Sequence, residues 1–592
     1  KYLNSFSRGE TTNLTYNLGL NWEVIEGLRV RSTFSITNVQ DKAEVYRSPL
    51  SADFFDYTSV TDGEETNDGY NLENIYKRGT YTMTNSSQFD YYGSINVSYT
   101  KSFGRHLVQG IVGGELKETN SESDAYKTVG FLDDPLGYPS YAVQFDSYTG
   151  PSGSSSLSRS AGMFANFNYS WDNRYLIDLT GRIDGSSNFA SKQRSAPFWS
   201  AGVRWNIYNE KFMKTHGWFE NLAVRANIGT VGNQNFQLSQ IMTLYNFLKM
   251  YDGVMGAEIM SIANPELKWQ TTLNRNIGLE FSLLQGLVNL DFNYYSNITK
   301  NNLTDIAILP STGFSTYKAN MGKVRNQGYE FSLSITPIKK NGWIVNAFVN
   351  GAHNKNKLLN ISDALRDYNE VIKENQTAHL NYAGYTQLER IFLFEEGQSL
   401  NSIFAVRSMG IDPGTGQEIF VTADGVQTFQ WNAADQVVVG NTEPTLKGYF
   451  GLNVDYKRWS FGANFQYSFG ADRYNKTLYE KIEGGNFAQN ADRRALTQRW
   501  TKPGDVAKYR GYGNTSQLKP TSRFVQKDDF LSMTSARLSY TLNANDLQAL
   551  GISLLKFTLS TNDLFYVSTI KQERGLSYPF ARTFYFSLQA NF

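Results

Sequence analysis

Hydrophobic and polar side chains alternate one for one through most of this chain, and the alternation is plainest at its end. Phe584, Phe586, Leu588, Ala590 and Phe592 share one face of an extended segment, while Thr583, Tyr585, Ser587, Gln589 and Asn591 share the other. Successive side chains of a strand point to opposite faces, so such a segment suits a wall with lipid on one side and water on the other.

The same unit recurs along the chain. Leu14, Tyr16, Leu18, Leu20 and Trp22 alternate, Glu26-Gly27 turns, and Leu28, Val30, Phe34 and Ile36 return. Gly104-Arg105, Asp172-Asn173, Gln285-Gly286, Lys340-Asn341-Gly342 and Lys457-Arg458 each join two further alternating runs. Gly, Asn and Asp between period-two runs predict hairpins. Between the hairpins lie long stretches rich in Gly, Ser, Asn, Asp and Tyr, near 41–86, 119–158, 232–265, 298–326, 355–445 and 470–529. Short turns at one end and long loops at the other is the asymmetry of an outer-membrane β-barrel, with the short turns periplasmic. A strand pair is also possible around Ser402 to Arg407, inside the fifth of these loops.

The predicted fold is therefore all-β, a transmembrane antiparallel barrel of about seventeen strands read here. Walking back from a last strand that descends to the periplasm, the first strand, from about Thr11, descends too. Single-chain bacterial barrels have even strand numbers. The expectation is that residues 1–592 form one incomplete barrel domain whose first strands lie upstream, and Lys1-Tyr2-Leu3-Asn4 reads as structured sequence and not as a leader.

Composition adds to this picture. The chain has 592 residues, 40% of them apolar and 15% aromatic, yet no run approaches the roughly 18 apolar residues of a membrane helix. Only a closed barrel crosses a bilayer with an apolar residue at every second position, because its backbone groups are satisfied between strands. The 37 Tyr and 39 Phe fit aromatic girdles. A net charge of +1 gives no basic face for nucleic acid, and without cysteine there is neither a disulfide nor a thiolate metal site.

Catalytic signals are weak. His106, His216, His353 and His379 stand too far apart for ligand spacing, and Asp62, Glu64, Glu65 and Asp68 lack an EF-hand order, so neither metal nor cofactor is expected. Gly229-Thr230-Val231-Gly232 is not followed by Gly-Lys-Ser/Thr, and no Gly-x-Ser-x-Gly elbow occurs. An enzyme is not expected.

Seven strings, in order, carry a resemblance: RIDGSSNF (Arg182 to Phe189), NPELKW (Asn264 to Trp269), NIGLEF (Asn276 to Phe281), GKVRNQGYE (Gly322 to Glu330), GIDPGTG (Gly410 to Gly416), NDLF (Asn562 to Phe565) and YPFARTF (Tyr578 to Phe584). Together they resemble motifs of the SusC/RagA family of TonB-dependent transporters. After NDLF the family continues with an aromatic-Gly-Asp-Pro-Glu stretch, where this chain has Lys571 to Leu576. The resemblance implies a barrel of about twenty-two strands, an N-terminal plug and a TonB box, none of the last two being in this sequence. It also implies an outer-membrane location, a SusD-like surface lipoprotein that closes over the outer loops, energy from the TonB complex, and import of oligosaccharides or other large nutrients. An oligopeptide importer of the RagA type, a passive porin and a structural surface barrel are the alternatives. Phe586, Leu588 and Phe592 would be the assembly signal in the last strand.

Candidate ligand-binding residues are the loop aromatics Tyr126, Phe131, Tyr138 and Tyr141, then Tyr245 and Tyr251, then Tyr382 and Tyr385. Such rings bury large area at low entropy cost. The competing reading is that they pack long loops against their neighbours. Asn289, Asp291, Asn293 and Tyr295 are expected to face a wet lumen.

Overall fold

The computed structural model describes the chain apart from residues 1–3, 52–59, 62–63, 66–78, 132–136, 147–149, 190–193, 214–217, 234–242, 252–253, 262–263, 265–266, 308–313, 315, 321, 364, 368, 371–393, 486–491, 513–517, 544–546, 548–550 and 571–581. Its wall strands are β1 (Phe6–Ile25), β2 (Leu28–Arg47), β3 (Thr80–Phe103), β4 (His106–Phe131), β5 (Ser152–Trp171), β6 (Tyr175–Ser186), β7 (Ser195–Asn206), β8 (Phe219–Asn233), β9 (Gln270–Leu283), β10 (Val288–Lys300), β11 (Gly322–Lys340), β12 (Trp343–Ile361), β13 (Leu446–Tyr456), β14 (Trp459–Phe469), β15 (Phe530–Asn543), β16 (Leu554–Asn562) and β17 (Phe584–Asn591). The six expected hairpin turns fall where the sequence pattern placed them, five of them on Gly, Asn or Asp. Asp172, Asn173, Gln285, Asn341 and Lys457 adopt positive φ there, as do Gly27, Gly104, Gly286 and Gly342.

The chain divides into two compact units. The first is Lys1–Tyr169 with Leu179–Trp199 and Gln234–Ile241. In it β1 pairs with β2, β2 with β3 and β3 with β4, all antiparallel and in long registers, the first shifted once between Glu23 and Ile25. These strands run to 26 residues, well beyond the roughly 9–11 needed to cross hydrocarbon. Loops expected to begin near 41 and 119 therefore begin later: β2 continues to Arg47 and β4 to Phe131. Sequence reading stops a strand where alternation of apolar residues fades. Ladder hydrogen bonds continue past that point, because backbone pairing does not require the side chains to alternate between lipid and water.

The second unit is Ser170–Asp178, Ser200–Asn233 and Met242–Phe592. Here β7 pairs with β8, β8 with β9, and so on through β16 with β17, each with its sequence neighbour among the wall strands. The outward row of β9, β10 and β11 is Ile277, Leu279 and Phe281 beside Tyr294, Phe292 and Leu290, then Tyr329, Phe331 and Leu333. Ile277 is 58% exposed, which in water would be costly and in lipid is not. On β17, Phe586 is 70% exposed, and Leu588 and Phe592 are exposed beside it.

Rings collect at the short-turn ends. In the second unit Trp171 stacks on Tyr175 and Tyr175 on Trp205, at 5.6 and 6.3 Å between centroids, and Trp343 on Tyr456 at 4.1 Å. Beneath the first stack Glu210 accepts from Tyr175 Oη at 2.7 Å, Trp205 Nε1 at 3.1 Å and Arg174 Nη1 at 3.1 Å. In the first unit His106 stacks on Phe103 and bonds Tyr169 Oη through Nδ1 at 2.8 Å. These are the amphipathic rings of a membrane interface.

Replacing Ile277 or Phe292 by Arg is expected to destabilise the wall by about 2–4 kcal/mol, and Ser332→Lys on the opposite face by less than about 1 kcal/mol. Urea unfolding of protein reconstituted in lipid vesicles measures this; equal cost on both faces contradicts the assigned sides.

Candidate functional site

The inner face of the second unit carries a continuous polar network. Arg204 of β7 donates to both carboxylate oxygens of Glu280 on β9, at 3.2 and 2.7 Å. Arg225 of β8 pairs with Glu280 as well, and reaches Asp291 at 3.2 Å and Asn293 Oδ1 at 2.7 Å on β10. Tyr295 Oη donates to Asn354 at 3.1 Å. The polar positions expected on β10 thus face inward and are tied to their neighbours. Beside them lies a recess of about 510 Å³ lined by Asp291, Asn293, Glu330, Asn350, Lys447 and Tyr449. Tyr449 lies inward because it opposes Asn350 and Gln466 in the ladders.

Long loops of the same unit form a structured body that sequence periodicity did not reveal. The strand pair suspected around Ser402 to Arg407 is real and larger: Ser402–Ile411 lies between Gln436–Asn441 and Glu418–Val421, and Gln427–Thr428 adds a fourth strand. Residues 472–527 supply Asp472–Tyr474 paired with Val525–Lys527, and a short helix at Arg493–Thr497. Arg523 joins the two segments. It donates to Glu418 through Nη2 at 2.9 Å and Nε at 3.2 Å, and to Glu483 through Nη1 at 2.6 Å. Arg510 Nε meets the other oxygen of Glu483 at 2.9 Å, and Thr521 donates to Glu418 at 2.8 Å. The Glu483 side chain is fully buried and that of Glu418 nearly so. Arg499 spends its donors on the carbonyls of Ala495, Arg510 and Ile482, and burial lowers its pKa. Around these charges Ile482, Ala495 and Tyr509 form an apolar cluster.

The strings that carried the family resemblance have structural work here. In Gly410–Gly416, Asp412 accepts from the Thr415 hydroxyl at 2.6 Å and from the backbone N–H of Gly414 and Thr415. The turn so made offers the Pro413 carbonyl to Trp500 Nε1 at 2.8 Å. Gly416 has φ +71°, and a Cβ there would stand 2.5 Å from the Trp500 ring. Within Gly322–Glu330, Val324 joins Leu358, Ile361 and Leu365 in a buried cluster. In Asn264–Trp269 Leu267 and Trp269 are buried, and Lys268 binds the side chain of Asn320 through its backbone. In the first unit Arg182 grips Asp184 at 2.6 Å and also pairs with Glu115, while Phe189 is buried.

The candidate aromatics separate into distinct groups. Phe131 lies inside β4 and is 1% exposed, packed with Tyr46 and Tyr81, so it has no free face for a ligand; the expectation that it belongs to a ligand-facing loop is corrected. Tyr126 is also on β4. It packs against that cluster, meets Phe145 edge-on at 6.0 Å and donates to Met83 Sδ at 3.1 Å. Tyr138 and Tyr141 are exposed and meet edge-on at 6.1 Å. Tyr245 is exposed on a strand, Leu244–Tyr251, that pairs with Val254–Ser261; of Tyr251 only the backbone is described. Tyr382 and Tyr385 lie outside the described residues. Among the described residues the structure therefore joins Tyr126 with Phe131, and Tyr138 with Tyr141, and does not bring these pairs into one aromatic site. Tyr449, which sequence reading passed over, was detectable as the polar-face ring of β13.

Among the described residues no group of His, Cys, Asp and Glu is arranged to hold a metal ion. No helix among them is long and apolar enough to cross a membrane.

A wall of strands, apolar outward and polar inward, ringed at the short-turn end and loaded with structured loops, defines an outer-membrane β-barrel receptor. The chain belongs to the TonB dependent receptor-like, beta-barrel family, whose model matches residues 2–387. It is 26% identical over 517 residues to TonB-dependent receptor P39 of Formosa agariphila, covering 81% of this chain and 49% of the relative. It is 26% identical over 429 residues to TonB-dependent receptor SusC of Bacteroides thetaiotaomicron, covering 68% and 40%. The solved structure of the RagAB peptide transporter superposes with a TM-score of 0.80 at 22% identity, over 96% of this chain and 59% of that one. The chain spans about half the length of the first of these relatives.

Two outcomes are expected of the loop body. Glu483→Gln leaves Arg510 and Arg523 short of a buried counter-charge and costs the body about 3–5 kcal/mol. Limited proteolysis would then nick 470–529 while the wall strands stay protected; an unchanged digest contradicts the role given to Glu483. The second outcome is pH-dependent. The Thr415 hydroxyl, with the two backbone N–H groups, holds the Asp412 carboxyl below its ordinary value. A depressed folded pKa stabilises above the unfolded value and is lost as pH falls through the folded one. Hydrogen-exchange protection of 410–417 should persist at pH 5 and fall below about pH 4 in the wild type. In Asp412→Asn the protection should lack that step.

Proposed function

We propose that the chain forms the barrel wall and outer loops of a TonB-driven importer that takes large polar nutrients from a SusD-like surface lipoprotein. The inner wall of paired arginines and carboxylates supports this reading, since it presents fixed hydrogen-bonding groups to a hydrated passage and keeps few bare apolar surfaces to trap a polar cargo. The buried Arg523–Glu418–Glu483 junction supports it from the outside, because a lid must dock on loops that hold their shape. Energy would come from the TonB complex, as the family implies.

Oligosaccharides are the first ligand class. The exposed rings of Tyr138 and Tyr141 favour them, since flat rings stack on the apolar faces of sugars. Oligopeptides are the second, favoured by the recess that sets Asp291 and Glu330 near Lys447 and Tyr449, opposite charges within one partly apolar groove. RagAB, the peptide transporter that superposes on this chain, belongs to that class.

Uptake by cells expressing the protein with its lipoprotein partner tests the reading. Import of the ligand should cease when TonB is deleted or the proton gradient collapsed, and Tyr138→Ala with Tyr141→Ala should weaken oligosaccharide capture by about tenfold. Energy-independent uptake would instead assign passive diffusion. Oligopeptide capture that is unaffected by the tyrosine pair but lost in Glu330→Lys would select the second class.

A further inference from the structure

On the outer face of the first unit the apolar wall has a hollow. In the β3–β4 ladder Ile95 opposes Gly114 and Gly93 opposes Leu116, so each bulky side chain stands beside bare backbone. On β5 and β6 the small pair Ala161 and Gly185 lies side by side, with Met163 and Ile183 one step towards the short turn. The result is a recess of about 630 Å³ with an apolar lining, rimmed by Ile95, Leu116, Met163 and Ile183, all exposed.

Packing within the chain does not demand these glycines. A Cβ at Gly93 would meet nothing within 4 Å, and one at Gly114 only the Gly162 carbonyl oxygen at 3.6 Å. The hollow is open to a neighbour from outside the chain.

Its position says which neighbour. From the short turn at Gly104-Arg105 the recess lies roughly eight to ten residues up each strand, where a strand needs roughly 9–11 to cross hydrocarbon. It therefore opens in the outer leaflet. One step further outward on the same face, Leu116 is followed by Glu118 and Ala161 by Arg159, and Arg159 Nε donates to Glu118 at 2.7 Å. This charged pair stands at the level where acyl chains give way to headgroups. The Arg159 side chain is 63% exposed, so the rest of its guanidinium is open to an anion.

We propose that the recess holds one acyl chain of a phosphorylated outer-leaflet glycolipid of the lipid A type, with its phosphate on Arg159. The hollow is continuous with the wall's lipid-facing surface, so hydrocarbon is its natural filling. A guanidinium binds phosphate by paired charge-assisted hydrogen bonds, and Glu118 holds this one in place at its Nε edge. A neutral or zwitterionic lipid would fill the hollow without using that charge.

Native mass spectrometry of the protein extracted from outer membranes in mild detergent tests this, with purified lipid A, its dephosphorylated form and phosphatidylethanolamine as probes. One lipid A per chain should remain bound. Gly93→Leu with Gly114→Leu should assemble normally and retain about tenfold less. Arg159→Ala should reduce retention of lipid A to that of the dephosphorylated form, and serves alone if the leucine pair fails to assemble. Unchanged retention in the variants, or equal retention of phosphatidylethanolamine by the wild type, overturns the proposal. So does a disulfide-linked dimer of a Met163→Cys variant in native membranes, which would give the recess to a second copy.

Discussion

The controlling constraint is that no backbone N–H or C=O can stand unpaired in hydrocarbon. It forces neighbouring strands into ladders, and the ladders force the period-two alternation seen from β1 to β17. Once that holds, the two faces diverge. Ile277, Phe292 and Phe586 can be left exposed because lipid covers them. The opposite positions collect Arg204, Arg225, Glu280 and Asp291, whose charges would be ruinous on the lipid side.

Above the membrane a different economy of interactions applies. The described parts of the outer loops of the second unit are polar in sequence but are not loose. Arg523 bridges Glu418 and Glu483, two residues 65 positions apart along the chain. A buried ion group of this kind adds little net stability compared with apolar packing, but it penalises any arrangement that leaves one charge alone. That is what two long loops need to find one relative arrangement. In the first unit the equivalent task falls to rings: Tyr46, Tyr81 and Phe131 form a buried cluster with Phe6, Met83 and Tyr126 around it.

The wall was legible from sequence because alternation is local and turns announce themselves: Gly27, Gly104, Asn341 and Lys457 sit in the expected turns with the positive φ such turns require. Strand ends were less legible, as at Phe131, because pairing outlasts amphipathicity. Apart from the strand pair suspected around Ser402 to Arg407, the loop body was illegible. Its contacts, such as Trp500 on Gly416 or Thr521 on Glu418, join residues far apart with no periodic signature. The motif Gly410–Gly416 marked the family before the structure gave it a reason, a turn shaped to fit against an indole. Aromatic content pointed toward ligand contacts, but exposure separates Tyr138 and Tyr141 from the buried Phe131.

Because the chain has no cysteine, single-cysteine scanning through residues 288–294 reads the alternation directly. In lipid vesicles, labels at 290, 292 and 294 should be quenched by brominated lipid, and those at 289, 291 and 293 by an aqueous quencher. Uniform access of the aqueous quencher at all six of these positions would contradict a wall with hydrocarbon on one side and water on the other.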